Sequence, residues 1–351
     1  MTVIKQSIFS SLLMIYFGGC IEPNTEDLWS ITIDSVLETS GYARDVSIDN
    51  DVVFVAAGEA GAEIWNIINT NDPSLLHSIS LDEIGADKEI SQIHYSPINN
   101  LLHLLEYNER SYVFLVNDSS YNVESPYGQY GAEDTRDFAI IDSLETFTYY
   151  SVIKKDHIIK WQRWEKTELG GLFYWGDAGL GDEVDVNAVP SSIALSNRAI
   201  VLGVGQLGIQ IWKLVDLDGD PNFQTSIDLG GTVESVYLLD ENSLFVARGT
   251  YGASYIPINQ IEIDTSTNSV TNNIIITEFA EDLTVNHIAV SNGIATLSLG
   301  AKGIALYDVS EPSAPIEKGI FPVGYTYKSQ FWGEKLVVCS REGLQIITIE
   351  Q

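Results

Sequence analysis

A Gly-x-x-Gly element recurs along this chain, each copy placed between two β-rich runs. The copies are Gly58-Glu59-Ala60-Gly61, Gly205-Gln206-Leu207-Gly208, Gly249-Thr250-Tyr251-Gly252 and Gly300-Ala301-Lys302-Gly303, with a degenerate fifth at Ser340-Arg341-Glu342-Gly343. The last four start 44, 51 and 40 residues apart, and 147 residues separate the first two. That gap is about three periods long. Two worn copies therefore belong in it, at Tyr107-Asn108-Glu109-Arg110 and Lys154-Lys155-Asp156. Self-similarity at a fixed period constrains a fold more than any single motif.

Each copy has the same surroundings. An apolar run precedes it, as in Val52-Val53-Phe54-Val55 and Leu336-Val337-Val338. An alternating run follows, as in Ala62-Glu63-Ile64-Trp65, Ile209-Gln210-Ile211-Trp212 and Leu344-Gln345-Ile346-Ile347. Period-two alternation marks strands, and glycine supplies the positive φ of a tight connection. A second turn rich in Asp, Asn, Ser and Pro comes next, for example Ser310-Glu311-Pro312-Ser313. Each unit thus holds four short strands. No sustained helical periodicity appears beyond the first twenty residues. This pattern predicts an all-β propeller of about seven four-stranded blades. The units open near Tyr42, Lys88, Thr135, Pro190, Val233, Val285 and Thr326. The last has only three strands, and Leu28 to Val36 is expected to supply the fourth and close the ring, which removes exposed sheet edges.

The unit from Val285 to Pro315 resembles the LVIVD repeat family of bacterial surface proteins, and Tyr42 to Leu76 is a second good match. The resemblance covers units one, four and six well and the rest loosely. Unit three, Thr135 to Trp175, lacks the glycine turn and carries Trp161, Trp164 and Trp175. The resemblance implies a β-propeller and brings no catalytic residues with it.

The first twenty residues read as an address. Lys5 is the only charged side chain before Glu22, and Ile8 to Phe17 is almost wholly apolar. This is a secretory signal, too short to span a bilayer permanently. Gly18-Gly19-Cys20 resembles the bacterial lipobox, although Phe17 stands where that motif has Leu. The resemblance implies a signal peptide at 1–19, a diacylglyceryl group on Cys20, a polar tether over 20–27 and the propeller over 28–351. Ile21 after the cysteine, rather than Asp, implies the outer membrane or cell surface, with the bilayer as a partner.

Charge narrows the other partners. Lys and Arg number 18 against 49 Asp and Glu, a net charge of −31. Such a surface repels phosphates, which excludes nucleic acid, and attracts cations. Cys339 lies in an apolar run and reads as a small buried hydrophobe. Gly203-Val204-Gly205-Gln206-Leu207-Gly208 matches a dinucleotide fingerprint. A strand pattern follows it where that site needs a helix, so the glycines read as the repeat's own turn. Asp216, Asp218 and Asp220 alternate around Gly219, either as Ca²⁺ ligands or as an ordinary turn. Pro221 and Ile227 fall where an EF-hand needs Gly and Glu.

In a propeller the first strand of every blade lines the central channel. Aligning the units places Arg44, Asp45, Gln92, Arg136, Asp137, His287 and Lys328 near its mouth, either as a ligand site or as polar groups satisfied by water. Trp161, Trp164, Tyr174 and Trp175, with Tyr127 and Tyr130, form either a glycan- or protein-binding patch or core. The expected function is a non-enzymatic, surface-tethered propeller that binds a protein or glycan. The alternative is a hydrolase or lyase using Asp45, Asp137 and His287.

Overall fold

The computed structural model describes residues 28–117, 120–124, 128–170, 172–196, 198–214, 221–264 and 266–351. They form seven four-stranded antiparallel sheets arranged as the blades of a propeller. The innermost strands, blades one to seven, are Asp45–Asp49, Ile90–Ser96, Thr135–Asp142, Ser192–Leu195, Ser235–Leu238, His287–Ser291 and Thr326–Trp332. Blade seven takes its outer strand, Ser30–Leu37, from the other end of the chain. That strand runs antiparallel to Gly343–Glu350, with Ser30 opposite Glu350 and Leu37 opposite Leu344. The ring closes as the repeat pattern predicts. The two worn copies also lie where the period places them, between the second and third strands of blades two and three.

Each seam between neighbouring blades holds its own apolar cluster. Phe54 and Ile64 of blade one pack with Leu102, Leu104 and Phe114 of blade two. On its other face blade one offers Val53 and Val55 to Val337, Cys339, Leu344 and Ile346 of blade seven. The second strand, Val52–Ala56, is therefore buried along its whole length. This explains the unbroken apolar runs: a strand covered on both faces has no solvent side to make polar. Cys339 is fully buried, as its surroundings in the sequence suggest, and burial pushes its thiol well above the ordinary range.

The polar positions of the alternating runs are buried too. Glu63 and Gln210 are 1% and 7% exposed. The Ser40 amide donates to Glu63 at 2.8 Å, and the Trp65 indole N–H donates to the same carboxylate at 2.9 Å. Blade four repeats this device: Gln210 donates to the Val186 carbonyl and accepts from the Trp212 indole. Gln345 reaches the Val323 carbonyl at 2.7 Å in blade seven. Each side chain ties its blade to the connection leading into it. A buried acceptor left unpaired would cost roughly 1–3 kcal/mol.

The glycine turns join one blade to the next. Gly300 has φ 60°, and its carbonyl accepts from the Thr326 amide of blade seven at 3.0 Å. The Gly58 and Gly205 carbonyls receive Ile90 and Val233 in the same way. Asn108, at φ 58°, takes this part in the worn copy of blade two, with its carbonyl receiving Asp134. Gly303, at φ 84°, answers a second demand. A Cβ there would lie 2.1 Å from the Phe321 carbonyl oxygen of its own outer strand.

Gly303→Ala is expected to destabilise the protein by about 2–3 kcal/mol or more, since strain and collision add. Gly333→Ala, at φ 60° with nothing within 4 Å, serves as the control and should cost only about 1 kcal/mol. Urea unfolding of the two variants measures the difference.

Candidate functional site

The turns between second and third strands all lie on one face, here termed the upper face. Inner strands begin there: Asp45 pairs with Ala56, next to the first glycine turn. The start of every inner strand therefore meets at one end of the channel. A cavity of about 540 Å³ occupies this mouth. Arg44, Gln92, Asp137, His287 and Lys328 line it, together with Glu89, Tyr107, Ser192, Glu234, Ser235 and Tyr327. The alignment of units thus brings five of its seven residues to one wall. Asp45 stands behind Lys328 and accepts from its ammonium at 2.9 Å. Arg136 lies beside the mouth, with its guanidinium 3.1 Å from Asp134. Glu89 and Tyr107 escaped the sequence reading because they belong to connections rather than to inner strands.

The inner-strand carboxylates are fixed by backbone. Asp45 accepts from the amides of Val46 and Ile93, at 2.9 and 3.3 Å. Asp137 does the same with Phe138 and Ile193, both at 2.9 Å. Each carboxylate binds its own strand and the inner strand of the next blade. Inner strands present an unpaired edge to the channel, and these side chains satisfy part of it. Ser47 accepts from the Tyr95 amide, and Gln92 donates to the Arg136 carbonyl, for the same reason.

Charge at the mouth is coupled through Lys328. Burial opposes its ammonium, but Asp45 and Asp137 outweigh that and hold its pKa above the ordinary lysine value. Burial pushes the Asp137 carboxyl up to about 6, while Lys328 and the two amides pull it down. Burial pushes His287 down to about 3, and Lys328 adds to the effect. Burial raises Glu234 as well. The consequences for stability have opposite signs. Ionising Asp137 costs stability as pH rises from about 4 through 6, whereas His287 withdraws stability as pH falls below about 6.5 toward 3.

The upper face around the mouth is rich in tyrosine and arginine. Tyr42, Tyr107 and Tyr251 are exposed. The Arg341 guanidinium lies 4.1 Å from the Tyr325 ring centroid and donates to the Tyr327 hydroxyl at 3.2 Å. Arg44 lies 4.4 Å from the Tyr327 centroid and pairs with Glu89. The exposed residues Ile68, Ile98, Leu144 and Leu239 on the opposite face are aliphatic.

Other sequence candidates fall elsewhere. Trp161, Trp164 and Trp175 are buried, Trp161 in the seam to blade four and the other two in the seam to blade two. Phe147 stacks on Trp164 at 5.9 Å. The tryptophans are core, and Tyr174 alone of that set is exposed among the described side chains. Cys20, Tyr127, Asp216, Asp218 and Asp220 lie outside the described residues. No group of three His, Cys, Asp or Glu able to hold a metal occurs among the described residues. A larger cavity, about 930 Å³, lies at the seam of blades three and four beside Trp212, Phe223 and Pro221.

No family model matches the chain, and no curated protein matches it. Solved structures do. The RRP9 WD40 repeats match with a TM-score of 0.65 at 12% identity, over 91% of this chain and 97% of that one. U3-55K gives 0.65 and 12%, over 91% and 98%. The computationally designed protein Ika8 gives 0.58 and 12%, over 89% and 98%. These likenesses establish the fold.

Replacing Lys328 by Met removes the charge that lowers both neighbours. The Asp137 carboxyl should then titrate above 6 and His287 above 3. Carbon- and nitrogen-detected NMR titrations of the two residues check both shifts.

Proposed function

We propose that this protein is a lipid-anchored propeller of LVIVD-repeat type on the bacterial cell surface, and that its upper face binds a protein or glycan partner without catalysis. The observation that carries the reading is the cavity at the mouth with its tyrosine and arginine surround. Tyr and Arg supply much of the binding energy at recognition surfaces, since each joins a large apolar body to directional hydrogen bonding. The seven seams make a rigid disc, so the rim is preorganised and little order must be gained on binding.

The anchor follows from Cys20 and fits the polarity of the closing strand. Leu37 ends on the upper face, opposite Leu344 and the last glycine turn. Ser30 therefore starts at the opposite face, beside Trp29, whose amide donates to Lys318 in the outer strand of blade six. The described chain thus enters the disc at the face opposite the mouth, and an anchor ahead of it would leave the mouth turned away from the bilayer.

A second reading, a hydrolase or lyase, draws on Asp137, whose pKa of about 6 suits a proton donor. Both oxygens of Asp45 and of Asp137 already accept backbone amides, which favours a structural role for the pair.

Cys20→Ser is expected to move the protein from the membrane to the soluble fraction, and retention in membranes overturns the anchor. A photo-crosslinking residue in place of Tyr42 should give a partner-shifted band that the same residue in place of Leu144 does not. Equal labelling from both faces, or none from Tyr42, overturns the upper-face reading.

A further inference from the structure

The wall of the mouth divides into a satisfied half and an unsatisfied half. On blades seven, one and two, Lys328 is held by Asp45, Arg44 by Glu89, and Gln92 by the Arg136 carbonyl. On blades four to six Ser191 donates to the Val233 carbonyl at 2.8 Å, but three other side-chain atoms lack such partners. Ser192 Oγ, Ser235 Oγ and His287 Nδ1 are buried and have no hydrogen-bond partner among the described residues. Ser192 is 4% exposed. Glu234 lines the same side and makes no ion pair there among the described residues.

We propose that this unsatisfied half binds an uncharged polyhydroxyl ligand, a sugar ring, which deepens the mouth-binding reading and rests on it. The donor and acceptor inventory carries the argument. A serine hydroxyl both donates and accepts, neutral His287 offers one of each, and the Glu234 carboxylate accepts. Hydroxyl groups complement all four because each can donate and accept. Burial of the two serine hydroxyls and of His287 Nδ1 without partners is costly, so a ligand that supplies them gains affinity.

Charge excludes the alternatives. Both cations of the wall are already paired, and Asp137 and Glu234 leave it acidic within a chain of net charge −31. An anion therefore meets repulsion and no free guanidinium in the cavity. A second cation would share the cavity with the Lys328 ammonium. The volume, about 540 Å³, is that of a small-molecule site. Exposed Tyr107 in the wall offers an aromatic ring for the apolar side of a sugar.

The test uses saturation-transfer NMR and calorimetry on the folded protein. The probes are glucose, galactose, mannose and N-acetylglucosamine, with glucosamine and glucuronate as cationic and anionic counterparts. At least one neutral sugar should bind at about 10 mM or below, and glucuronate should not. Ser192→Ala and Glu234→Gln should each weaken that binding about tenfold, with melting temperature unchanged. The proposal is overturned if no neutral sugar binds, if glucosamine binds more tightly than every neutral probe, or if both variants bind as the parent does. A face-specific crosslink at Tyr42 that survives such a result would retain the upper face as a docking surface and remove the sugar alone.

Discussion

A backbone hydrogen bond, donated to the carbonyl of a turn residue by an amide at or just before the first strand of the next blade, sets the geometry of this ring. Gly300 to Thr326, Gly205 to Val233 and Gly58 to Ile90 are three copies of it. The bond requires a left-handed residue at the turn, and the period of the sequence is the record of that requirement. Because every copy lies on one face, the inner strands all start there. The same bond that spaces the blades therefore also assembles the polar mouth, and a substitution that moved a turn would displace two blades and one wall of the cavity.

Much of this was legible in the chain. The glycines announce the turns, the apolar runs announce strands covered on both faces, and the short last unit announces the borrowed strand Ser30–Leu37. Worn copies were legible by spacing alone. Asn108 keeps the left-handed conformation that glycine has elsewhere, because its short polar side chain tolerates it. The role of the alternating polar residues was not legible. Glu63 and Gln210 look like a solvent face, yet they are buried, and the indoles of Trp65 and Trp212 two residues on help to satisfy them. Their other partners, Ser40 and Val186, lie in connections that carry no pattern of their own.

The mouth shows the same division. Unit alignment finds residues that stand at equivalent places in inner strands, so Arg44, Gln92, Asp137, His287 and Lys328 emerge together. It does not tell which are already engaged. Lys328 reads in the sequence as a mouth residue open to ligand or water and is locked to Asp45 in the fold. His287 reads as a titratable base and is held neutral by burial. The tryptophans of blade three read as a patch or, more readily, as core. Only the position of blade two, which covers Trp164 and Trp175, decides between them.

The borrowed strand has a consequence in time as well as in space. Ser30 and Glu350 are bonded across 320 residues. A contact of that separation forms late, because long loops must close before it repays their entropy. Until then the growing arc ends in two apolar walls, Val53 and Val55 at one end and Val337 and Cys339 at the other. The segment Ser30–Leu37 waits beside them as a lone edge able to join any sheet of matching register. The latch that completes blade seven is thus the ring's most association-prone part while the chain is still incomplete, and folding must hold it in reserve until blade seven arrives.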